Sequence, residues 1–350
     1  MLVHATRLSL LRSAVPRVAL TRGFTTTPTS LLAASPSSST PSAEPAAAST
    51  DYKPIERLTV FGAGLMGAGI AQVAAQNGVE VVMTDVSDGA LANGRAIIQK
   101  SLTRLARKAH PDDSSAQSTY IDRVFSNLTT TTSAPTAVEK TDCVIEAIVE
   151  HLPTKQELFR RLDEIAPEEA VFASNTSSLG VAEIAALCGK GRRGRFGGFH
   201  AFNPVPQMKL VEIISTPETS PATTAALLDL CKRMKKTPVT CKDTPGFIVN
   251  RLLVPYLLSA LRMVERGEAT AEDIDTAMKL GAGVPMGPLE LSDFVGLDTL
   301  SHIASAWRSS DALDAPTQAQ VEPVQLLEKL VGEGKRGRKS GEGVFQYGEK

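Results

Sequence analysis

The chain is short of several things, and each shortage narrows what it can be. It has four cysteines in 350 residues (Cys143, Cys188, Cys231 and Cys241), and no two are spaced as C-x-x-C. That usage points to a reducing compartment and away from a cysteine-held structural metal. Net charge is also nearly absent, at −1, which removes the electrostatic argument for nucleic acid or a membrane surface as partner. No apolar run is long enough to span a bilayer. The most apolar stretch, residues 247–261, is broken by Asn250, Arg251 and Pro255 and reads as a buried helix.

Acidic residues are missing from the beginning of the chain. None precedes Glu44, while Arg7, Arg12, Arg17 and Arg22 punctuate small and apolar residues. A run rich in Ser, Pro, Ala and Thr then extends to Thr50. Basic, acid-poor and Ser-rich composition is that of a mitochondrial transit peptide. A secretory signal is disfavoured, because no long apolar segment is followed by a small-residue cleavage site. Residues 1–50 are therefore set apart from the fold, and the mature protein is expected in the mitochondrial matrix.

What is present begins at Leu58. A short apolar run, Leu58-Thr59-Val60-Phe61, breaks into Gly62-Ala63-Gly64-Leu65-Met66-Gly67-Ala68-Gly69. A helix-like segment follows, then a second apolar run that ends at Asp85. Strand, glycine turn, helix, strand and acid occur in the order a dinucleotide-binding βαβ unit requires. Gly62 suits the tight turn, Gly64 lets the backbone approach a pyrophosphate over the helix N-terminus, and Gly67 lets helix and strand pack closely. Asp85, 23 positions after Gly62, can accept from both ribose hydroxyls and would repel a 2′-phosphate, which favours NAD over NADP.

At 350 residues the chain can form two domains. A long helical pattern to about His110 carries Leu91, Ile98, Leu102 and Leu105 on one face and Lys100, Arg104, Arg107 and Lys108 on the other. This basic side is either a solvated face or a dock for phosphates. An irregular polar segment follows. Strands are then expected at residues 128–132, 143–148, 170–174, 195–200, 209–214 and 238–241. Helices are expected at 153–165, 181–187 and 222–235, with a Gly/Arg turn before Arg195.

This alternation predicts an α/β fold, a doubly wound and mostly parallel sheet. After Asp243 the pattern changes: Thr244 can cap a helix that has Pro245 at its first position. Helices are expected at 247–266, 271–280, 288–307 and 324–331. The expected organisation is a nucleotide-binding domain over 55–243 and a smaller all-α domain over 244–350. The nearly all-apolar helix from Phe247 needs cover on several sides, which a homodimer would supply.

Only five histidines occur. His200, in Phe199-His200-Ala201-Phe202-Asn203-Pro204, ends a strand at the sheet edge where α/β folds bind ligands. Glu212 follows 12 positions later on the next strand, beyond an Asn-Pro-Val-Pro bend. Neighbouring strands at that separation can bring the carboxylate to the far imidazole nitrogen, which would make His200 a working general base.

Five segments occur in order: the Gly62–Gly69 run, Ser174-Asn175-Thr176-Ser177-Ser178, the His200–Pro204 run, Met208-Lys209-Leu210-Val211-Glu212, and Asp243-Thr244-Pro245-Gly246-Phe247-Ile248-Val249-Asn250-Arg251. With them the chain resembles the L-3-hydroxyacyl-CoA dehydrogenase family in its short stand-alone mitochondrial form, from about Leu58 to Phe345. The resemblance implies a Rossmann-type sheet, NAD as cofactor, an acyl-CoA substrate and a homodimer.

Position by position, it implies His200 as base with Glu212 as partner, and Ser177 and Asn250 at the substrate oxygen. It implies Glu150, Lys155, Asn203 and Lys335 beside the cofactor, together with Gly62, Ala63, Gly64, Leu65, Met66, Gly67, Asp85 and Ser177. Ser101 and Lys108 would meet coenzyme A, with Ser177 at the acyl end. Ala201 stands where many relatives carry phenylalanine, which bears on acyl-chain preference. The implied reaction is reversible oxidation of an L-3-hydroxyacyl-CoA in fatty-acid β-oxidation. The alternatives are a 3-hydroxybutyryl-CoA dehydrogenase of butyrate metabolism, a related NAD-dependent sugar-acid dehydrogenase, and a non-catalytic protein that kept the fold.

Overall fold

A computed structural model describes residues 51–310 and 313–348; the expected transit peptide lies outside them. Eight strands form one sheet: β1 (Arg57–Phe61), β2 (Glu80–Thr84), β3 (Leu128–Thr131), β4 (Cys143–Glu146), β5 (Val171–Ser174), β6 (Phe196–Ala201), β7 (Leu210–Ser215) and β8 (Thr237–Lys242). Their order across the sheet is β3-β2-β1-β4-β5-β6-β7-β8. The first six are parallel, β7 runs antiparallel to β6, and β8 is parallel to β7. The doubly wound, mostly parallel sheet is therefore present. Strands β4, β5 and β6 are buried at every position, as expected when helices cover both faces.

One face packs against helices Leu65–Gln76, Asp88–Ala109 and Pro221–Arg233 through Ile70, Ile98, Leu102, Leu227 and Leu230. The other packs against helices Leu152–Ile165 and Val181–Ala185. Phe159, Phe172 and Phe196 meet there, with ring centroids 4.6–6.4 Å apart. The guanidinium of Arg192 lies 4.2 Å over the Phe172 ring and pairs with Asp163 at 2.8 Å. It also donates to the carbonyls of Ala170 and Pro167. The expected Gly/Arg turn is thus a one-turn helix, Lys190–Arg193, that delivers a buried cation.

After β8 the sheet receives no further strand among the described residues. Helices Val249–Glu265, Ala271–Gly281, Pro288–Val295, Leu297–Arg308, Ala315–Gln320 and Gln325–Gly332 follow. They share a second core of Leu257, Leu261, Leu289, Leu300, Trp307 and Leu327. Asp293 ties down the C-terminal segment, accepting from Val344 N, Phe345 N and the Tyr347 hydroxyl at 2.8, 2.9 and 3.0 Å.

Three expectations need correction. The polar segment before β3 is a helix, Ser114–Ser126, capped by the Asp113 side chain; Val124 is buried, and Tyr120, Ile121 and Phe125 pack beside it against the core. The single helix expected over 288–307 is two, parted at Gly296, whose φ of +103° is a left-handed value. Thr244 caps no helix: the helix starts at Val249, without a side-chain cap from its own N-cap residue. Between them Gly246 (φ +80°) and Phe247 (φ +50°) turn the chain. A Cβ on Gly246 would lie 2.4 Å from the Trp307 ring.

The aromatic cluster should dominate the stability of the sheet. Phe172→Ala is expected to lower the unfolding free energy by about 3–5 kcal/mol. Urea denaturation should show a lower midpoint at an unchanged slope.

Candidate active site

The turn after β1 is shaped by close approaches. Gly62 has φ +103°, and a Cβ there would sit 2.5 Å from the Ala147 carbonyl oxygen. A Cβ on Gly67 would fall 1.8 Å from the Gly62 oxygen, whereas one on Gly64 would meet nothing within 4 Å. The backbone is thus packed tight on the sheet side and open on the side facing away. Gly64 is the N-cap of helix Leu65–Gln76, and no side chain caps it. Its first-turn N–H groups are therefore available to an anion. Asp85, at the end of β2, accepts from Ala63 N and Val86 N, each at 2.7 Å.

The imidazole sits at the far end of the sheet edge. Antiparallel pairing of β6 with β7 puts His200 directly opposite Glu212. Nδ1 of His200 lies 2.7 Å from Oε2 of Glu212. Both side chains are buried, at 6% and 0% exposure. The other carboxylate oxygen, Oε1, accepts from Ile248 N and Val249 N at 3.0 and 2.9 Å. Glu212 therefore caps the helix that Thr244 does not. Burial alone would push the Glu212 carboxyl up, but the His200 hydrogen bond and the two helix N–H groups outweigh it and hold it below its ordinary value. Phe202 and Phe247 flank the imidazole, with ring centroids 4.5 and 5.5 Å away.

A second buried charge cluster stands beside it. Lys155 Nζ is 2.5 Å from Glu146 Oε1 and 3.1 Å from Glu150 Oε2. Glu146 accepts from Ile148 N and from the Ser174 hydroxyl, both at 2.7 Å. Glu150 Oε1 gathers the loop after β5, accepting from the Thr176 hydroxyl at 2.6 Å, Ser177 N at 3.1 Å and the Ser178 hydroxyl at 3.0 Å. Burial would raise the Glu150 carboxyl; the Lys155 ammonium and these donors bring it below its usual value. Asn250, from the first helix after β8, donates to the Ser177 carbonyl at 3.3 Å.

Three cavities run along this edge. The first, of 540 Å³, is lined by Gly62, Asp85, Ile148, Glu157 and Arg161 among others. The second, of 310 Å³, is lined by Met66, Ile148, Glu150, Lys155, Ser177, His200, Asn203 and Asn250. The third, of 330 Å³, holds Leu65, Lys100, Ser101, Arg104 and Asn203. Ile148 belongs to the first two and Asn203 to the last two.

Most of the residues singled out in the sequence thus meet along one continuous surface. Two do not. Lys108 is exposed further along the row of Lys100 and Arg104, and Lys335 is held by Glu333 and Glu342 at 3.2 and 3.0 Å. Sequence reasoning missed Glu146, Phe202 and Phe247, and also Asn175, whose Oδ1 accepts from Ala201 N at 2.9 Å. An acid closing an otherwise apolar strand, as Glu146 closes β4, was the one available sign.

Comparison with known proteins fits this geometry. Residues 57–244 match the model of the 3-hydroxyacyl-CoA dehydrogenase NAD-binding domain, and residues 246–347 match that of the 3-hydroxyacyl-CoA dehydrogenase C-terminal domain. The chain belongs to the 3-hydroxyacyl-CoA dehydrogenase family. Mitochondrial hydroxyacyl-coenzyme A dehydrogenase of Rattus norvegicus is 52% identical over 84% of this chain and 91% of the relative. The Homo sapiens protein of the same name is 51% identical over 87% and 96%. The crystal structure of (S)-3-hydroxybutyryl-CoA dehydrogenase from Ralstonia eutropha superposes with a TM-score of 0.78 at 38% identity, over 84% of this chain and all of that one.

As a family member the chain is an NAD-dependent oxidoreductase, a 3-hydroxyacyl-CoA dehydrogenase. The mitochondrial designation of the mammalian relatives agrees with a mitochondrial location. The residues present fit NAD: the space a Gly64 Cβ would enter is open, the helix N-terminus behind it is uncapped, and the Asp85 carboxylate borders the 540 Å³ cavity.

Glu212 also links acidity to stability. Its carboxyl is lower in the folded chain than in the unfolded one, so its contribution is complete above the ordinary carboxylate pKa and is lost as pH falls through the folded value. Glu212→Gln is expected to cost about 1–3 kcal/mol at pH 7. Denaturant titrations across pH should show that deficit shrinking below about pH 4.5, the ordinary value for a glutamate.

Proposed function

We propose that His200 is the general base that takes the proton from the C3 hydroxyl of an L-3-hydroxyacyl-CoA, with Glu212 as its partner. The observation that carries this reading is the 2.7 Å contact between Nδ1 and the buried carboxylate. Against an ionised carboxylate Nδ1 donates, which leaves Nε2 of this cavity-lining residue as the nitrogen to accept. As the proton arrives, Glu212 offsets the positive charge on the ring. Its own ionised form is secured by two helix N–H donors.

NAD, when bound, accepts the hydride that leaves C3. The chain's part is to hold both ligands so that the transfer is short. In this reading Gly62–Gly67 cradle the pyrophosphate over the helix N-terminus, Asp85 takes the adenosine ribose hydroxyls, and Glu150, Lys155 and Asn203 border the ring end. The Ser177 hydroxyl and the Asn250 amide, which also donates to the Ser177 backbone carbonyl, donate to the substrate oxygen as it becomes a carbonyl. Ser101, Lys100 and Arg104 line the third cavity, and with Lys108 they form a row suited to the phosphates of coenzyme A. Lys335 is a cofactor contact only as the resemblance implies it; among the described residues its ammonium pairs with Glu333 and Glu342.

The division of labour follows the expected boundary: residues 55–243 bind NAD, and 244–350 close the substrate side. We place the enzyme in the mitochondrial matrix, in fatty-acid β-oxidation. Bacterial relatives named as probable 3-hydroxybutyryl-CoA dehydrogenases are 42% identical, below the mammalian hydroxyacyl-CoA enzymes, so a dedicated butyrate enzyme is the weaker reading. Leu252, 71% exposed on a helix whose other side is buried, supports a homodimer that covers it.

His200→Gln should lower turnover of acetoacetyl-CoA with NADH by roughly 10²–10⁴-fold. NADH binding, followed by fluorescence titration, should stay near that of the unaltered enzyme. Unchanged turnover would remove His200 from the mechanism. Glu212→Gln should cost less and displace the pH–rate profile, and a profile left in place would break the pairing.

A further inference from the structure

The Glu146–Lys155–Glu150 cluster has more negative charge than its single ammonium can cancel. Two carboxylates close on Lys155 Nζ at 2.5 and 3.1 Å. Water does little to screen the inner pair, since the side chains of Lys155 and Glu146 are 1% and 0% exposed, whereas Glu150 is partly open to solvent. Glu150 is the member nearer solvent, and its carboxyl is held in the ionised form by Lys155 and the loop donors. Lys155 and Glu150 line the same 310 Å³ cavity as His200, and Glu146 stands behind them.

Glu146 is placed to fix where the ammonium sits. Ile148 N and the Ser174 hydroxyl hold its two oxygens, so its position is set by β4, β5 and the turn between β4 and the next helix. Through it, Lys155 is drawn toward the sheet, while the more exposed carboxylate of Glu150 remains at the cavity. A ligand that differs by one unit of charge between two states will sense this wall. The nicotinamide ring is cationic in NAD⁺ and neutral in NADH.

We propose that Glu146 is a positioning residue which, by holding Lys155 against the sheet, leaves an uncompensated negative charge at the cavity wall and shifts the chain's preference toward NAD⁺ over NADH. The proposal rests on the reading that the reacting ring reaches the His200 cavity. It concerns the equilibrium between the two cofactor forms, whereas the His200 proposal concerns proton removal.

The test measures both dissociation constants without turnover, NADH by its fluorescence and NAD⁺ by competition against it. Glu146→Gln removes one negative charge from the cluster and should raise the ratio Kd(NAD⁺)/Kd(NADH) by roughly three- to tenfold, the scale of a unit charge acting across a partly screened site. Glu146→Asp keeps the charge and should leave the ratio near its original value even if both affinities fall. Should Glu146→Gln not fold, Glu150→Gln removes the same charge from the more exposed partner and must move the ratio in the same direction. Equal changes in both constants, an unchanged ratio or a fall in it would overturn the proposal. Because the readout is binding, it stands or falls separately from the activity of His200→Gln.

Discussion

One carboxylate joins the two halves of this enzyme. Glu212 projects from β7 with one oxygen on the His200 ring and the other on the first turn of the helix that opens the α-helical part. A buried acid is costly unless every lone pair it turns inward is met. Here the imidazole meets one side and the helix N-terminus the other. The same requirement that keeps the acid ionised fixes the angle at which the helical part joins the sheet.

The reversal of β7 makes this possible. A seventh parallel strand would have delivered its C-terminal end, not its N-terminal one, to the ligand edge. Running antiparallel, β7 returns along β6 so that position 212 lies opposite position 200. Because side chains alternate on a strand, a slip of one residue would aim the acid at the other face. The loop between the two strands supplies Asn203, which separates the His200 cavity from the one lined by Ser101. A single strand pair therefore sets the proposed base, its partner and the wall between the two cavities.

What was legible in the sequence followed the range of the forces involved. The glycine run could be read because each glycine answers a steric demand from residues close by, and the His200–Glu212 pair because two adjacent strands relate the positions simply. The helix at Ser114–Ser126 stayed hidden because its apolar residues, Tyr120, Ile121, Val124 and Phe125, are confined to its C-terminal half behind a polar first half. Thr244 carried the local marks of a cap. The cap actually comes from Glu212, more than thirty residues earlier and on another element. Glu146 was overlooked for a similar reason: its meaning lies in Lys155 and Ser174, and neither marks it along the chain. Lys335 looked like a cofactor ligand by resemblance, yet its nearest partners are two acids of its own segment.

The double duty of Glu212 bears on how such a protein could change over generations. A descendant released from chemistry, kept only as a packing body, would still need an acid at the start of that helix. Selection for folding alone would preserve the glutamate, and with it pressure to keep some donor opposite. In this lineage, then, a surviving acid is weaker testimony to enzyme activity than a surviving imidazole, and a copy that loses His200 first is the form in which a silent relative should be sought.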